Sequence, residues 1–158
     1  MNVLHPPFVH FVVALPVVAL FSQLTYMATR NIAYSKAAFR IIAMTMLASF
    51  FALYSGMADA QTILEGQHIL KKGLDILADH KTLGIITALL LVVTTLVKWL
   101  AISRKSHGIE VLAAFLILTT IATTLYQGRQ GGKIVYQYGG GIDTKVTNKR
   151  AGESTLRP

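Results

Sequence analysis

This sequence predicts an all-α fold, a four-helix transmembrane bundle, on three observations. Of its 158 residues, 53% are hydrophobic and 14% are charged, whereas an ordinary soluble domain carries about a quarter charged residues. Four apolar runs are long enough to cross a hydrocarbon core, which takes about 20 residues of helix. None of the four shows the period-two alternation of a half-buried strand, and in lipid a helix satisfies its own backbone hydrogen bonds.

The first helix is expected over about residues 8–28, with Pro16 as a kink. It lacks the basic n-region and small-residue cleavage site of a secretory signal, so it is expected to stay in the mature protein. The second runs over about 37–63, the third over about 82–102 and the fourth over about 109–126. Between the second and third, Ile69, Leu70, Leu74, Ile76 and Leu77 are interspersed with Lys and Asp. That is the pattern of a short amphipathic helix lying on the outer interface. Residues 143–158 are polar, without apolar periodicity, and read as a disordered tail, leaving 1–142 as one transmembrane domain.

Charge sets the expected orientation. Arg30, Lys36 and Arg40 cluster in the first connection, and Arg104 and Lys105 in the third, whereas the second mixes Lys71, Lys72 and Lys81 with Glu65, Asp75 and Asp79. The positive-inside rule then puts both termini outside the cytoplasm, in the periplasm for a bacterial inner-membrane protein. Tail residues Arg129, Lys133, Lys145, Lys149, Arg150 and Arg157 pull the other way, but those far from a helix end weigh less. The net charge of +8 belongs to membrane-flanking clusters, so the partners expected are lipids and not nucleic acid. With no cysteine, disulfides, thiolate zinc sites, iron–sulfur clusters and covalent c-type haem are excluded. Nucleophile elbow, phosphate loop and dinucleotide fingerprint are all missing from the sequence. His5 and His10, with two prolines between them, are not the i, i+4 pair of a helical zinc protease. An electron-transfer or accessory subunit is expected in preference to a stand-alone enzyme.

Polar and small residues in membrane helices mark the helix–helix face. Thr45, Ser49, Ala52, Gly56 and Asp59 form such a stripe on the second helix. His80, Gly84, Thr87, Leu91, Thr94 and Lys98 form one on the third, and Glu110, Ala113, Ile117, Thr120, Thr124, Gln127 and Gly131 one on the fourth. On the first helix the stripe is taken through His10, Ala14, Val17 and Phe21. At the inner end Lys98 and Glu110 can pair across the short connection, although a snorkelling lysine and a helix-start glutamate are the favoured reading. At the outer end His10, Asp59, His80 and Gln127 meet from four helices, with His5 close in sequence and His68 in the adjoining loop. Only His107 lies opposite. Intramembrane ionisable groups point to function, and two imidazoles on different helices at one depth are what a b-type haem needs.

His5-Pro6-Pro7-Phe8-Val9-His10-Phe11 resembles the opening His-Pro-x-x-Val-His-Phe motif of the DUF2231 family of membrane proteins. Ser55-Gly56-Met57-Ala58-Asp59 resembles that family's Gly-x-x-Asp, and His80 matches the histidine that opens its third helix. Gly131-Gly132-Lys133-Ile134-Val135-Tyr136-Gln137-Tyr138-Gly139 is similar to its closing signature. The resemblance covers about residues 4–142, with Val12 where the family commonly has proline and Gly140 where it has valine. It implies the four-helix architecture, and relatives fused to or beside Rieske and cytochrome c modules imply a redox setting. The glycines from Gly131 to Gly141 either wrap a loop over the outer cluster, with Tyr136 and Tyr138 at the interface, or make a flexible exit from the membrane.

Three functions are open on these residues. The leading one is a small redox subunit binding haem b, or a copper or zinc ion, near the periplasmic face. His10 and His80 are its expected ligands, Asp59 orients one imidazole, and His5 and His68 stand in reserve. Its partner would be a periplasmic or membrane redox protein. The second is a structural or accessory subunit with no cofactor. The third is a small channel lined by Thr45, Ser49, Thr87, Thr94, Thr120 and Thr124, which in so short a bundle would need a homo-oligomer.

Overall fold

Two prolines open the first helix. Pro6 and Pro7 sit in the first turn of α1 (His5–Thr29), where a missing N–H forfeits no intrahelical bond. The other helices are α2 (Ile32–Glu65), α3 (Lys71–Arg104) and α4 (His107–Tyr136). The structure is a computed structural model that describes residues 5–65 and 69–141, so His68 and the expected tail lie outside the described residues. All four helices are long and apolar enough to cross a membrane, and no strand occurs among the described residues. The fold is the expected four-helix transmembrane bundle.

Arg30 and Asn31 alone join α1 to α2. Arg30 turns the chain in the left-handed region at φ 58°, and its N–H closes α1 on the Tyr26 carbonyl at 2.7 Å. Asn31 Oδ1 accepts the Ala33 N–H at 3.0 Å and so caps α2. Lys105 repeats the device between α3 and α4 at φ 49°, its N–H returning to the carbonyls of Ala101 and Ile102. Connections this short force antiparallel hairpins, α1–α2 and α3–α4. Each helix packs on its neighbours in the chain and α1 also packs on α4, while among the described residues the backbones of the diagonal pairs stay apart. One end of the bundle, the hairpin end, therefore carries both tight turns. The other, the terminal end, carries the start of α1, the close of α4 and the α2–α3 connection.

The helices outrun the apolar runs that announce them. The segment expected as a separate amphipathic helix is the first part of α3, where Gly73 and Leu77 are buried. Leu77 packs with Ala60, Ile63 and Ile134, flanked by Ile69 and Ile76. Ile69, Ile76 and Leu77 thus turn onto the bundle, while Leu70 and Leu74 stay exposed. Continuing the helix also keeps bonded the backbone groups that two further helix ends would leave open. Likewise α4 continues to Tyr136, so Gly131 and Gly132 are helical and His80 stands well inside α3 instead of opening it. The wrapped loop begins at Gln137. There the N–H groups of Tyr138, Gly139 and Gly140 return to Lys133, Val135 and Ile134 at 3.2, 3.2 and 2.8 Å, and the Tyr138 carbonyl accepts the Leu70 N–H at 3.1 Å. A Cβ on Gly140 would stand 2.5 Å from Ile134 Cγ2, so valine has no room at that position here.

The stripes of α2, α3 and α4 face inward, with Thr45, Ser49, Asp59, Thr87, Leu91, Thr94, Lys98, Glu110, Ile117, Thr120 and Thr124 all buried. On α1 the expected stripe faces out. Phe21 is 68% exposed, and the buried face runs instead through Val12, Pro16, Ala19 and Gln23. Val12, Ala19, Ile42, Leu91 and Ile117 form a plug at mid-bundle. Large side chains such as Phe11, Phe50, Trp99, Phe115 and Leu118 point outward. Lipid gives them no reason to hide, while small residues let the helices approach.

Candidate functional site

Above the plug, at the terminal end, all four helices line one cavity of about 560 Å³. It collects His5 and His10 from α1, Asp59 from α2, His80 from α3 and Gln127 from α4, between apolar walls that include Val9, Val13, Leu53 and Ala88. The sequence-predicted cluster therefore converges, His68 excepted as lying outside the described residues.

Helix α1 sets its two imidazoles differently. His5 is half-buried against α2, with Nδ1 3.0 Å from the Ala52 carbonyl and 3.0 Å from Ser55 Oγ. His10 is exposed, with Nδ1 2.6 Å from the Pro6 carbonyl one turn back. A carbonyl only accepts, so each Nδ1 carries a proton, and in a neutral ring of that tautomer the lone pair is on Nε2. Carbonyls thus do for His5 and His10 what the sequence assigned to Asp59. Asp59 itself is a buried carboxylate on the cavity wall. His80 lies against the Gln127 main chain and within Coulombic reach of His5. Its buried Nδ1 has no hydrogen-bond partner among the described residues.

Glycines make the seats for these groups. A Cβ at Gly56 would lie 2.7 Å from His5 Cε1, one at Gly84 would lie 3.0 Å from Gln127 Nε2, and one at Gly131 would lie 3.4 Å from His80 Cε1. Each polar side chain rests across a glycine of the adjacent helix. Among the described residues, no three His, Asp or Glu side chains converge as a metal cage.

A second polar layer closes the hairpin end, and the sequence reading found only half of it. Lys98 and Glu110 do not snorkel apart; they form an ion pair at 0% and 1% exposure. Ser35 Oγ donates to Glu110 Oε1 at 2.7 Å and accepts from Lys98 Nζ at 2.7 Å. Gln23 Nε2 donates to Glu110 Oε2 at 2.8 Å and to the Glu110 carbonyl at 3.0 Å. The ammonium also stands 5.5 Å from the centre of the Tyr26 ring. Each helix contributes one member of this clasp. Gln23 was missed because the first-helix stripe was phased on His10, and Ser35 because the second helix was begun at about residue 37. The signal was present in Pro16, Ala19 and Gln23, spaced like the small and polar stripes elsewhere.

Between the layers, the hydroxyls of Thr45, Thr87, Thr94 and Thr120 donate to carbonyls one turn back in their own helices, at 2.9, 2.8, 2.7 and 2.9 Å. Ser49 and Thr124 do the same three residues back, at 2.7 and 3.0 Å.

A family profile described as "Predicted membrane protein (DUF2231)" matches residues 2–144. Comparison with curated proteins and with solved structures gives no match.

Proposed function

This chain belongs to the DUF2231 family of predicted membrane proteins, and we propose that the terminal-end cavity of its bundle binds a b-type haem, making it a small membrane redox subunit. One observation carries the reading. Three imidazoles border a single apolar cavity, and two of them hold Nδ1–H on a carbonyl with Nε2 left for a ligand. That is the state in which proteins present histidine to iron. A cavity of about 560 Å³ is also within the range of cofactor pockets. A bound haem supplies one-electron chemistry.

The chain's own residues divide the remaining work. His5 and His80, from the diagonal helices α1 and α3, would hold the group, with the exposed His10 at the mouth as the alternative to His5. Ala52 and Ser55 fix the His5 ring, Gly56 and Gly131 leave room for the two imidazoles, and Val9, Val13 and Ala88 keep water away. A bare copper or zinc ion has less support, because among the described residues no three side chains converge to cage it, whereas a porphyrin would bring nitrogens of its own. A conduction path has less still. The hydroxyls that would line it are spent on their own helices, and the plug of Val12, Ala19, Ile42, Leu91 and Ile117 crosses the way. The setting we infer is a bacterial inner membrane, with the cavity on the periplasmic side and a redox protein of that side as partner.

The test is an oxidised-minus-reduced absorption spectrum of detergent-purified protein from a haem-replete host, with iron, copper and zinc quantified on the same sample. A Soret band with sharp α and β bands and near-stoichiometric iron is expected, lost in His80→Ala and in His5→Ala or His10→Ala. Protein without bound iron, copper or zinc would overturn the reading and leave the accessory subunit in its place.

A further inference from the structure

The charges of the molecule are sorted by end. Arg30, Lys36, Arg40, Arg104 and Lys105 stand exposed at the hairpin end. Among the described residues Glu110 is the one carboxylate there, and it is buried in its pair with Lys98. Asp59, Glu65, Asp75 and Asp79 all lie toward the terminal end. The exposed cations of the hairpin end therefore face no exposed carboxylate of that end among the described residues.

Two of these cations stand on backbone that does not suit them. Arg30 and Lys105 adopt the left-handed region, at φ 58° and 49°. A Cβ is disfavoured there, and glycine or asparagine is the usual occupant at the close of a helix. The helix dipole favours a cation near a C-terminus, but α3 already carries Arg104 in its last turn.

The fold then brings basic groups of the two hairpins into contact. Arg30 Nη1 donates to His107 Nδ1 at 2.7 Å, and Lys105 precedes His107 by two residues. A guanidinium only donates, so Nδ1 accepts and a neutral His107 ring carries its proton on Nε2. The free N–H groups of Arg30, the Nε2–H of His107 and the Lys105 ammonium are thus donors on one exposed cluster. Donors of this kind, with a planar guanidinium among them, suit a phosphate.

Depth identifies which phosphate. Leu24 of α1 and Leu112 of α4 are exposed, and each lies within about 10 Å of the cluster along its helix axis. Tyr34 and Trp99 are exposed at the same end, as aromatic side chains are at the headgroup level of a bilayer. Cations this close to lipid-facing leucines stand where phospholipid phosphates lie.

We propose that Arg30, Lys105 and His107 form a site for the phosphate of an anionic phospholipid, at the joint between the two hairpins. The site is remote from the cavity and does not rest on the haem reading.

The test is native mass spectrometry of the full chain in detergent, offered equal amounts of phosphatidylglycerol and phosphatidylcholine with identical acyl chains. Phosphatidylglycerol is expected to be retained in preference by at least about fivefold, the factor one basic side chain supplies near an anionic surface. Arg30→Asn/Lys105→Asn is expected to bring the preference to within about twofold of parity. Its unfolding midpoint without lipid is expected to hold or rise, because asparagine accepts the left-handed backbone. His107→Leu, which leaves both turns intact, is expected to lower the preference at least about twofold. Lys36→Gln/Arg40→Gln removes the same charge from exposed positions of α2 and is expected to keep it. No preference in the unaltered protein would overturn the site. So would equal loss in the two double variants, which is the mark of diffuse attraction, or displacement of the lipid by excess inorganic phosphate.

Discussion

At Gly56 a methyl group would stand 2.7 Å from Cε1 of His5, and the ring could not keep its bonds to Ala52 and Ser55. Gly56→Ala is expected to cost about 1–3 kcal/mol, the usual penalty of overpacking a tight contact. At Gly131 the same methyl would meet His80 at 3.4 Å, an ordinary contact, and the helix gains from alanine. Gly131→Ala is therefore expected to be neutral or to stabilise by up to about 1 kcal/mol. Thermal unfolding in detergent, followed by circular dichroism, separates the two; equal destabilisation by both would contradict the seating argument. The clasp gives a second prediction. Removing one charge strands the other, so Lys98→Met or Glu110→Leu alone is expected to cost about 3–5 kcal/mol. The double variant is expected to cost less than either single one, and additive losses in that cycle would show that the pair does not act as a unit.

The elements show where sequence reading succeeds and where it stops. On α2, α3 and α4 polar and small residues are few among large apolar ones, so their spacing reveals the inward face directly. The α1 run is apolar nearly all round, and its phase was taken from one side chain in place of the Pro16, Ala19 and Gln23 spacing. His10 was the wrong choice, because an imidazole near a helix end can face out and bond its own carbonyl at Pro6. Helix ends were misjudged for a related reason. Hydropathy marks the stretch that sits in hydrocarbon and says nothing of the turns beyond, where Leu77 and Ile134 prolong α3 and α4 by packing on Ala60 and Ile63. The depth of the Lys98–Glu110 pair was likewise hidden until Gln23 and Ser35 supplied its other partners. One element-scale prediction concerns the close of α4. Gly140→Val would drive a side chain into Ile134, whose carbonyl is 3.0 Å from the added Cβ. It is expected to cost about 1–3 kcal/mol and to speed hydrogen exchange of the Gly140 and Leu70 amides. Unchanged exchange at Leu70 would show that the turn and α3 are not joined through Tyr138.

For the molecule as a whole, the basic turns at Arg30 and Lys105 lie at one end and the cavity at the other. A reporter active only outside the cytoplasm, fused after Pro158, is expected to be active, and a cytoplasm-dependent fluorescent reporter there is expected to be dark. The opposite result would place the cavity on the cytoplasmic side. Helices α2 and α3, at 34 residues each, are about 50 Å long, well beyond the roughly 30 Å of a hydrocarbon core. Both two-residue turns lie at the hairpin end and the histidines at the other. The cavity is then a blind well. Its floor is the Leu91–Ile117 plug, with the clasp beneath. Anything bound in the well would face the terminal end of the bundle, with the plug between it and the hairpin end.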